Sequence, residues 1–189
     1  MENLLERALV EFCAPALAGV KPANLFSCRS HNVRQVKREA RQWNRRLRPF
    51  GLSVAVLRVR RAEGSSLIYV YRPAQLQAIL SDSAVQAFLQ TRGYAAGGDI
   101  LCQLRRLSER LRAAQEFPHE VGVFLGYPLR DVIGFVQNRG AHCTCCGTWK
   151  CYGDAREAQR YFARCEKCRE IYRAMFRQGT PVLRLVVAA

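Results

Sequence analysis

FPHEVGVFLGYPLRDVIGFVQNRGAHCTCCGTWKCYGD, residues 117–154, is the stretch with the strongest local signals in the chain. Pro118 suits the first turn of a helix, because the N–H that proline lacks would have no partner there. Gly126 ends that helix, and Pro128 begins a second short one. The stretch therefore predicts a helical hairpin over 118–138, followed by a segment rich in cysteine.

Outside this stretch, apolar residues recur at the spacing that places them on one face of a helix. This spacing predicts helices over 2–13, 33–48, 75–80, 83–90, 99–114 and 155–177. Pro15 is predicted to end the first helix. The segment 14–30 contains two prolines and no clean period, and we interpret it as an ordered loop.

Apolar runs predict four short strands, over 52–60, 66–71, 148–152 and 182–187. A turn over 62–65 joins the first two as an antiparallel hairpin. Helices and strands do not alternate as they would in a doubly wound fold. The predicted fold class is α+β, a mostly helical single domain over 1–189 with a small, largely antiparallel sheet.

The charge is strongly basic, with 30 Lys and Arg against 15 Asp and Glu and a formal net charge of +15. Such a field attracts nucleic acid, anionic ligands or anionic membranes. Nearly all the basic residues are Arg, however, which is also typical of proteins from GC-rich genomes. The charge alone therefore does not choose between function and codon bias.

A nucleic-acid-binding protein is nevertheless an alternative that two segments favour. The predicted helix 33–48 carries seven basic residues, and Glu39 is its one acidic residue. In the hairpin 118–138, Gly122, Gly126 and Val132 fit the order of small, turn and buried residues in a helix-turn-helix reader.

The composition also indicates the compartment. The chain lacks an apolar run near the roughly 20 residues that span a bilayer, so we expect no membrane span. Its N-terminus is acidic where a secretion signal would be basic. We therefore expect a cytoplasmic protein, in which nine cysteines are thiols or metal ligands rather than a disulfide framework.

The Cys-rich segment 142–168 suggests a metal site. It contains two C-x-x-C pairs with 18 residues between them, and a glycine follows the first pair. Zinc binds such sets of four thiolates, so the predicted ligands are Cys143, Cys146, Cys165 and Cys168. Substitute ligands are His142, Cys145 and Cys151. Two alternatives stay open: a redox pair, and thiols packed in the core on the apolar face of the helix 155–177.

His119 and Glu120 are the one adjacent pair of an imidazole and a carboxylate in the chain. Such a pair could transfer protons or bind a ligand. Both residues equally suit the first turn of a helix, where an acidic side chain is favoured. The sequence shows no nucleophile near this pair. If the protein is an enzyme, its catalytic residues are therefore unknown.

Several segments together resemble one protein family. They are Phe117 to Pro128, Asp131 to Phe135, Trp149-Lys150, Tyr152-Gly153, Cys13 to Pro15, Leu17 to Gly19, Lys21, Asn24 to Cys28 and Tyr69 to Pro73. The chain resembles the domain-of-unknown-function 3793 family, found in uncharacterised bacterial proteins, mainly anaerobic Firmicutes. The resemblance implies a single cytoplasmic domain and no particular activity.

The resemblance also implies which residues share a pocket. These signature residues are Lys21, Ser27, Cys28, His119, Glu120, Tyr127, Trp149 and Lys150. We expect a pocket between the N-terminal loop and the hairpin 119–127. The favoured hypothesis is a small domain that binds a ligand or a metal, with an unknown small molecule or protein as partner. A small thiol, redox or acid-base enzyme is a further alternative.

Overall fold

The structure, a computed structural model, describes residues 4–113 and 116–188. At its centre lies an antiparallel sheet with the strand order β1-β3-β2. The strands are β1 Ala23–Arg29, β2 Ser53–Arg60 and β3 Ser65–Tyr71. The predicted hairpin of β2 and β3 is confirmed. Gly64 makes its turn at φ +56°, a left-handed conformation that glycine adopts without strain.

The central strand, β3, contributes to a hydrophobic core on each face of the sheet. Ile68 and Val70 belong to the core on one face, here called the first core. Leu67, Tyr69 and Tyr71 belong to the second core, on the other face. Successive side chains of a strand point to opposite faces, so the two cores lie on opposite sides of the sheet.

A layer of helices covers each core. The first layer consists of α1 Leu4–Leu17, α2 Val33–Leu47 and α8 Ala155–Arg177. The second consists of α3 Pro73–Leu80, α4 Ser83–Gln90, α5 Ile100–Ala113, α6 Val121–Phe124 and α7 Leu129–Gln137. More than half of the described residues are helical, which confirms the predicted fold class, a mostly helical α+β domain with a small antiparallel sheet.

Arg72 joins the end of α1 to the sheet. The side chain is 2% exposed, and its guanidinium donates to the carbonyls of Ala16 at 2.7 Å and Leu17 at 2.8 Å. The last carbonyls of a helix have no partner within the helix, so this buried cation satisfies them. It thereby fixes the turn that leads from α1 into β1.

Two predictions about the N-terminal segment are wrong. Pro15 lies inside α1, two residues before its end, where a proline removes one hydrogen bond of the last turn. Residues 23–29, predicted as loop, form β1 and pair with β3 along their whole length. Apolar side chains of β1 enter both cores, so the strand lacks the apolar and polar alternation of a half-solvated strand.

The predicted final strand, 182–187, is also wrong, because Val182–Leu185 is a 3-10 turn. Val182 and Leu185 are buried in the first core. A spacing of three residues places both side chains on the same side of such a turn. The predicted helix start at residue 2 and the predicted helix end at residue 114 lie outside the described residues.

Residues 143–153 form a second, smaller hairpin, here called the Cys-rich hairpin. Its strands are β4 Cys145–Cys146 and β5 Lys150–Cys151, which pair antiparallel. The predicted strand 148–152 is thus confirmed in its centre. Its partner, β4, was not predicted, because two cysteines beside a glycine carry no strand signal.

Within the described ranges, 4–113 and 116–188, no helix combines the length and the apolar character needed to cross a membrane.

Candidate ligand-binding site

A buried carboxylate holds the Cys-rich hairpin against α7. Asp131, in the first turn of α7, is 2% exposed. Its Oδ1 accepts hydrogen bonds from the backbone N–H groups of Tyr152 at 2.8 Å and Gly153 at 3.1 Å. Its Oδ2 accepts one from the indole Nε1 of Trp149 at 2.7 Å. Three donors compensate the carboxylate for the water that it loses on burial, and they fix the position of Trp149.

Trp149 is also held by other aromatic rings. Its ring stacks on Tyr127 with centroids 4.9 Å apart. Tyr161 and Phe162 of α8 approach it edge-on, at 5.3 Å and 4.6 Å. Stacked and edge-to-face arrangements are the favourable geometries for aromatic pairs. A Cβ at Gly147 would lie 2.1 Å from the Phe162 ring, so a glycine at this position lets the hairpin close on α8.

Trp149 forms one wall of a cavity of about 420 Å³ between α6, α7 and the Cys-rich hairpin. Most of its lining is apolar, and four of its seven apolar side chains are aromatic. The apolar lining residues are Phe117, Val121, Leu125, Tyr127, Val132, Phe135 and Trp149. We call this the aromatic cavity. Its volume falls within the roughly 300–1,000 Å³ of sites that bind small organic molecules.

Two polar side chains of the aromatic cavity are exposed and mark where it meets solvent, whereas the carboxylate of Asp131 lies buried in its wall. His119 is exposed, and its ring centroid lies 4.8 Å from that of Phe135. Lys150 is exposed as well, and its Nζ donates to the carbonyl of Gly140 at 2.7 Å. An ammonium has three N–H donors, so this one bond orients Lys150 and leaves donors for a ligand. The thiol of Cys146 lines the same cavity.

The structure brings together half of the eight predicted pocket residues. His119, Tyr127, Trp149 and Lys150 all line the aromatic cavity. They come from the turn before α6, the loop before α7 and the Cys-rich hairpin, so the fold joins the segment 119–127 to a segment more than 20 residues further along the chain.

Glu120 does not accompany His119 into the cavity. It is 3% exposed and forms an ion pair with Arg110 of α5, while the Tyr94 hydroxyl donates to it at 3.1 Å. Burial and the neighbouring carboxylate raise the pKa of Tyr94. Because His119 and Glu120 point to different surroundings, the adjacent pair does not form a proton-transfer pair in this geometry.

Ser27 and Cys28 lie on β1, away from the aromatic cavity. The Ser27 hydroxyl is exposed and lies 2.9 Å from that of Ser65 on the neighbouring strand. Cys28 is buried in the first core. Both residues therefore have a place in the sheet rather than in the cavity.

Lys21 lies close to Tyr127 but lines a different cavity. Its Nζ is 4.9 Å from the centroid of the Tyr127 ring. Burial lowers the pKa of the Lys21 ammonium to about 8. Tyr127 lines both cavities. Lys21 therefore lies next to the predicted pocket, although it does not line the aromatic cavity itself.

The four cysteines predicted as zinc ligands do not come together. Cys143 and Cys146 are neighbours in the Cys-rich hairpin, with their Sγ atoms 3.2 Å apart. Cys165 and Cys168 are buried in the packed face of α8. Throughout residues 4–113 and 116–188, no group of three or more His, Cys, Asp or Glu side chains is placed to hold a metal ion. The arrangement therefore does not fit a four-thiolate zinc site.

Three thiols have pKa values shifted away from that of a reactive cysteine. A nucleophilic or redox-active thiol has a lowered pKa. Burial instead raises the pKa of Cys165, and that of Cys168 to about 11. The hydrogen bond with Cys143 raises the pKa of Cys146. The alternative of a thiol enzyme gains no support from these environments.

The helical hairpin presents little of the polar surface that a DNA reader uses. Its first helix, α6, has four residues and all of them are buried. In α7, the basic side chain of Arg130 forms an ion pair of 3.0 Å with Glu157. A recognition helix must present polar side chains to the bases, whereas α7 uses one face to wall the aromatic cavity.

Two parts of the site were missed from the sequence. Asp131 belongs to a segment that carries the family resemblance, but its role was not predicted. A lone carboxylate among apolar residues, as in Leu129 to Val136, is the signal that could have found it. Phe117 and Phe135 carry no separate signal, because aromatic residues at helical spacing also form ordinary cores.

A comparison with protein families identifies the family of the chain. The model described as "Protein of unknown function (DUF3793)" matches residues 9–186. No curated protein and no solved structure matches the chain. The matched range contains the sheet, the aromatic cavity and both helix layers except the first part of α1.

Proposed function

The chain belongs to the DUF3793 family of proteins of unknown function, and we propose that it binds a small, flat, mostly apolar molecule that carries an anionic group. The observation behind this proposal is the aromatic cavity. Four aromatic rings and the imidazole of His119 surround one space, and the ammonium of Lys150 lies at its opening. Aromatic walls favour flat apolar ligands, and a cation at the opening favours an anion there.

Isothermal titration with naphthoate tests the proposal. Naphthoate has a flat aromatic body and one carboxylate, and naphthalenemethanol is its neutral counterpart. We expect one naphthoate per chain, bound more tightly than the alcohol. Lys150→Met should remove most of the difference, about tenfold in affinity, because a charge-assisted hydrogen bond contributes about 1.5 kcal/mol or more.

A pair of cysteine variants controls for the place of binding. Cys146→Phe puts a ring at the opening of the aromatic cavity and should block naphthoate. Cys102→Phe makes the same change at an exposed cysteine of α5, which does not line this cavity, and should leave binding intact. Equal binding by both variants would refute the proposed site.

A cytoplasmic location in a bacterium belongs to the same proposal. All nine cysteines are free thiols, and free thiols persist in reducing compartments. Zinc is not part of the proposal, because the predicted ligands do not assemble.

A second candidate function, nucleic-acid binding through α2, rests on one observation about Glu39. This one acidic residue of α2 is 7% exposed and accepts hydrogen bonds from the Leu5 backbone N–H at 3.1 Å and from Gln35 at 2.9 Å. The basic residues at this helix are all exposed: Arg34, Lys37, Arg38, Arg41, Arg45, Arg46 and Arg48. Among the described residues, none of these seven forms an ion pair. The outer face of α2 is therefore basic without an opposing acid.

Salt-dependent binding of a short random-sequence DNA duplex tests this candidate. Each phosphate contact adds about 0.9 to the slope of log affinity against log salt. Changing Arg38, Arg41 and Arg45 to Glu should weaken binding and reduce that slope by up to about 3. The control changes Arg105, Arg112 and Arg156, which are exposed on other helices, and alters the net charge equally. If both triple variants behave alike, α2 is not the binding surface.

A further inference from the structure

A buried lysine without a counterion lies beside the aromatic cavity. Lys21 is 2% exposed, in the turn between α1 and β1. Its backbone N–H donates to the carbonyl of Pro15 at 3.0 Å, which fixes the turn. Within residues 4–113 and 116–188, its ammonium has no hydrogen bond and no ion pair. A buried charge is costly unless it is paired, so the face of the Tyr127 ring offers it only partial compensation.

The ammonium borders a cavity of about 330 Å³, which we call the lysine cavity. It is lined by Lys21, Asn24, Tyr127, Thr148, Arg169 and Arg173, together with two glutamates. Its volume is well above the ~30 Å³ that one water occupies in the liquid. The space is therefore large enough for a small polar ligand.

The two glutamates of the lysine cavity already have cationic partners. Arg169 forms an ion pair with Glu166. Arg173 forms one of 2.6 Å with Glu11. In the described part of the cavity, two carboxylates thus face two guanidinium groups, and Lys21 supplies a positive charge that is not balanced.

An unpaired amide adds a second, independent sign of a missing ligand. Asn24 is 8% exposed and lines the same cavity. Its Oδ1 is buried without a hydrogen-bond partner among the described residues. Buried polar side-chain atoms nearly always have a partner. An amide presents both a donor and an acceptor, so Asn24 can donate to an anion or accept from its hydroxyl.

We propose that the lysine cavity is an anion-binding site, in which the Lys21 ammonium and the Asn24 amide bind the oxyanion of a small molecule, either a phosphate or a carboxylate. The bound oxyanion supplies the charge partner of Lys21 and accepts from the Asn24 N–H₂, and a hydroxyl of the same molecule, such as that of a singly protonated phosphate, donates to Asn24 Oδ1. The inference does not depend on the aromatic cavity, because Lys150 and His119 take no part in it.

Carbon NMR of lysines labelled at Cε tests the proposal directly. The chain has four lysines, at positions 21, 37, 150 and 167, and the last three are exposed. Lys21→Met assigns the Lys21 signal. Should that variant not fold, Arg at the other three positions assigns the signal by elimination. Inorganic phosphate and acetate are then added separately, with chloride holding the ionic strength constant.

We expect the Lys21 signal to shift in a saturable manner with phosphate, acetate or both, while the signals of Lys37 and Lys167 stay in place. The anion that acts identifies the ligand as a phosphate or a carboxylate. Asn24→Asp adds a competing carboxylate and keeps the lysine, so it should lower the affinity for the anion at least tenfold. Lys167→Met, at an exposed position of α8 that lines neither cavity, should leave the affinity unchanged.

The proposal is overturned if neither anion shifts the Lys21 signal, or if all lysine signals shift together. It is also overturned if Asn24→Asp binds as tightly as the unchanged protein. Loss of naphthoate binding would not affect this outcome, since that measurement concerns the aromatic cavity alone.

Discussion

Asp131 is the residue on which the candidate site depends most. Its carboxylate is buried between α7 and the Cys-rich hairpin, where three N–H donors surround it and no cationic side chain of residues 4–113 or 116–188 pairs with it. No other side chain of similar size offers acceptors to the Trp149 indole and to two backbone N–H groups at once. The position of the ring that walls the aromatic cavity therefore depends on the charge of this one side chain.

Asp131→Asn should destabilise the protein by about 2 kcal/mol, because one donor is left facing the new amide N–H₂ in a buried place. Urea unfolding followed by tryptophan fluorescence measures the change. Asp154→Asn is the matched control. Asp154 caps α8 by accepting from the N–H groups of Arg156 and Glu157, and Asn caps a helix equally well. A loss of equal size in both variants would show that Asp131 has no special role.

Lys21 makes stability depend on pH in a predictable direction. Its pKa is lowered from 10.5 to about 8 by burial, so between these values the unfolded chain holds more protons than the folded protein. Stability from this group therefore rises as the pH increases from about 8 to about 10.5, by at most about 3 kcal/mol.

Comparison with Lys21→Met isolates this contribution, because other groups, such as the buried Cys13 thiol, titrate in both proteins. As the pH rises from about 8 to about 10.5, the unfolding free energy of the unchanged protein should increase relative to that of the variant. A constant difference from pH 7 to pH 10 would mean that Lys21 is protonated alike in both states.

The sequence predicted which residues belong to the site better than it predicted what each of them contacts. Tyr127, Trp149 and Lys150 were predicted and line one cavity. Glu120 was predicted beside His119, but the ion pair with Arg110 turns it into the second core. That partner is ten residues away in the chain, and its position depends on how α5 packs, which no local pattern reveals.

The Cys-rich hairpin is the element that completes the site. It is short, since β4 and β5 contain two residues each, and it is held by its contacts with α7 and α8 as well as by its own pairing. Two glycines allow the hairpin to pack closely on its neighbours. Gly147 of the hairpin lies against Phe162 of α8, and Gly134 of α7 lies against Tyr152 of the hairpin. The hairpin should therefore respond to changes in α7 that leave the rest of the fold intact.

Gly134→Ala tests this fit against helix propensity. Ala is favoured over Gly inside a helix by about 1 kcal/mol, yet the added Cβ would lie 2.5 Å from the Tyr152 ring. We expect a net destabilisation of about 1–3 kcal/mol, as for other overpacked sites, and weaker naphthoate binding. Gln137→Ala, at an exposed position of the same helix, should be neutral or slightly stabilising. A stabilised Gly134→Ala would contradict the close packing.

Amphipathic helices were predicted from their one solvated face. Of the two strands covered on both faces, β3 was predicted together with the turn over 62–65, and β1 was missed. The amphipathic α2 was predicted at its observed start, Val33. In contrast, β1 lies between two cores and has no solvated face along its first half, so its pattern did not indicate a strand. Its identity comes from pairing with β3, which is a property of the tertiary fold.

At the scale of the whole molecule, the fold distributes nine thiols between core and surface. Cys13, Cys28, Cys151, Cys165 and Cys168 are buried, and the other four are exposed or half-buried. This distribution separates the two C-x-x-C pairs, since one lies at the surface of the Cys-rich hairpin and the other in α8. Packing thus explains the cysteines of α8 without a metal.

Thiol counting under native conditions checks this distribution. About four thiols should react readily with a thiol reagent, and the remaining five only after unfolding, since buried thiols are protected by packing. Adding a chelator should change neither number. If a chelator exposes four further thiols and releases one zinc per chain, the cysteines form a metal site after all.

Fluorine NMR of fluorotryptophan-labelled protein during a naphthoate titration shows directly whether a ligand binds in the aromatic cavity. The chain has two tryptophans: Trp149 walls the aromatic cavity, while Trp43 is buried in the first core. Binding in the aromatic cavity predicts a saturable shift of the Trp149 signal and an unchanged Trp43 signal. No shift of the Trp149 signal, or equal shifts of both signals, would contradict a ligand site in this cavity.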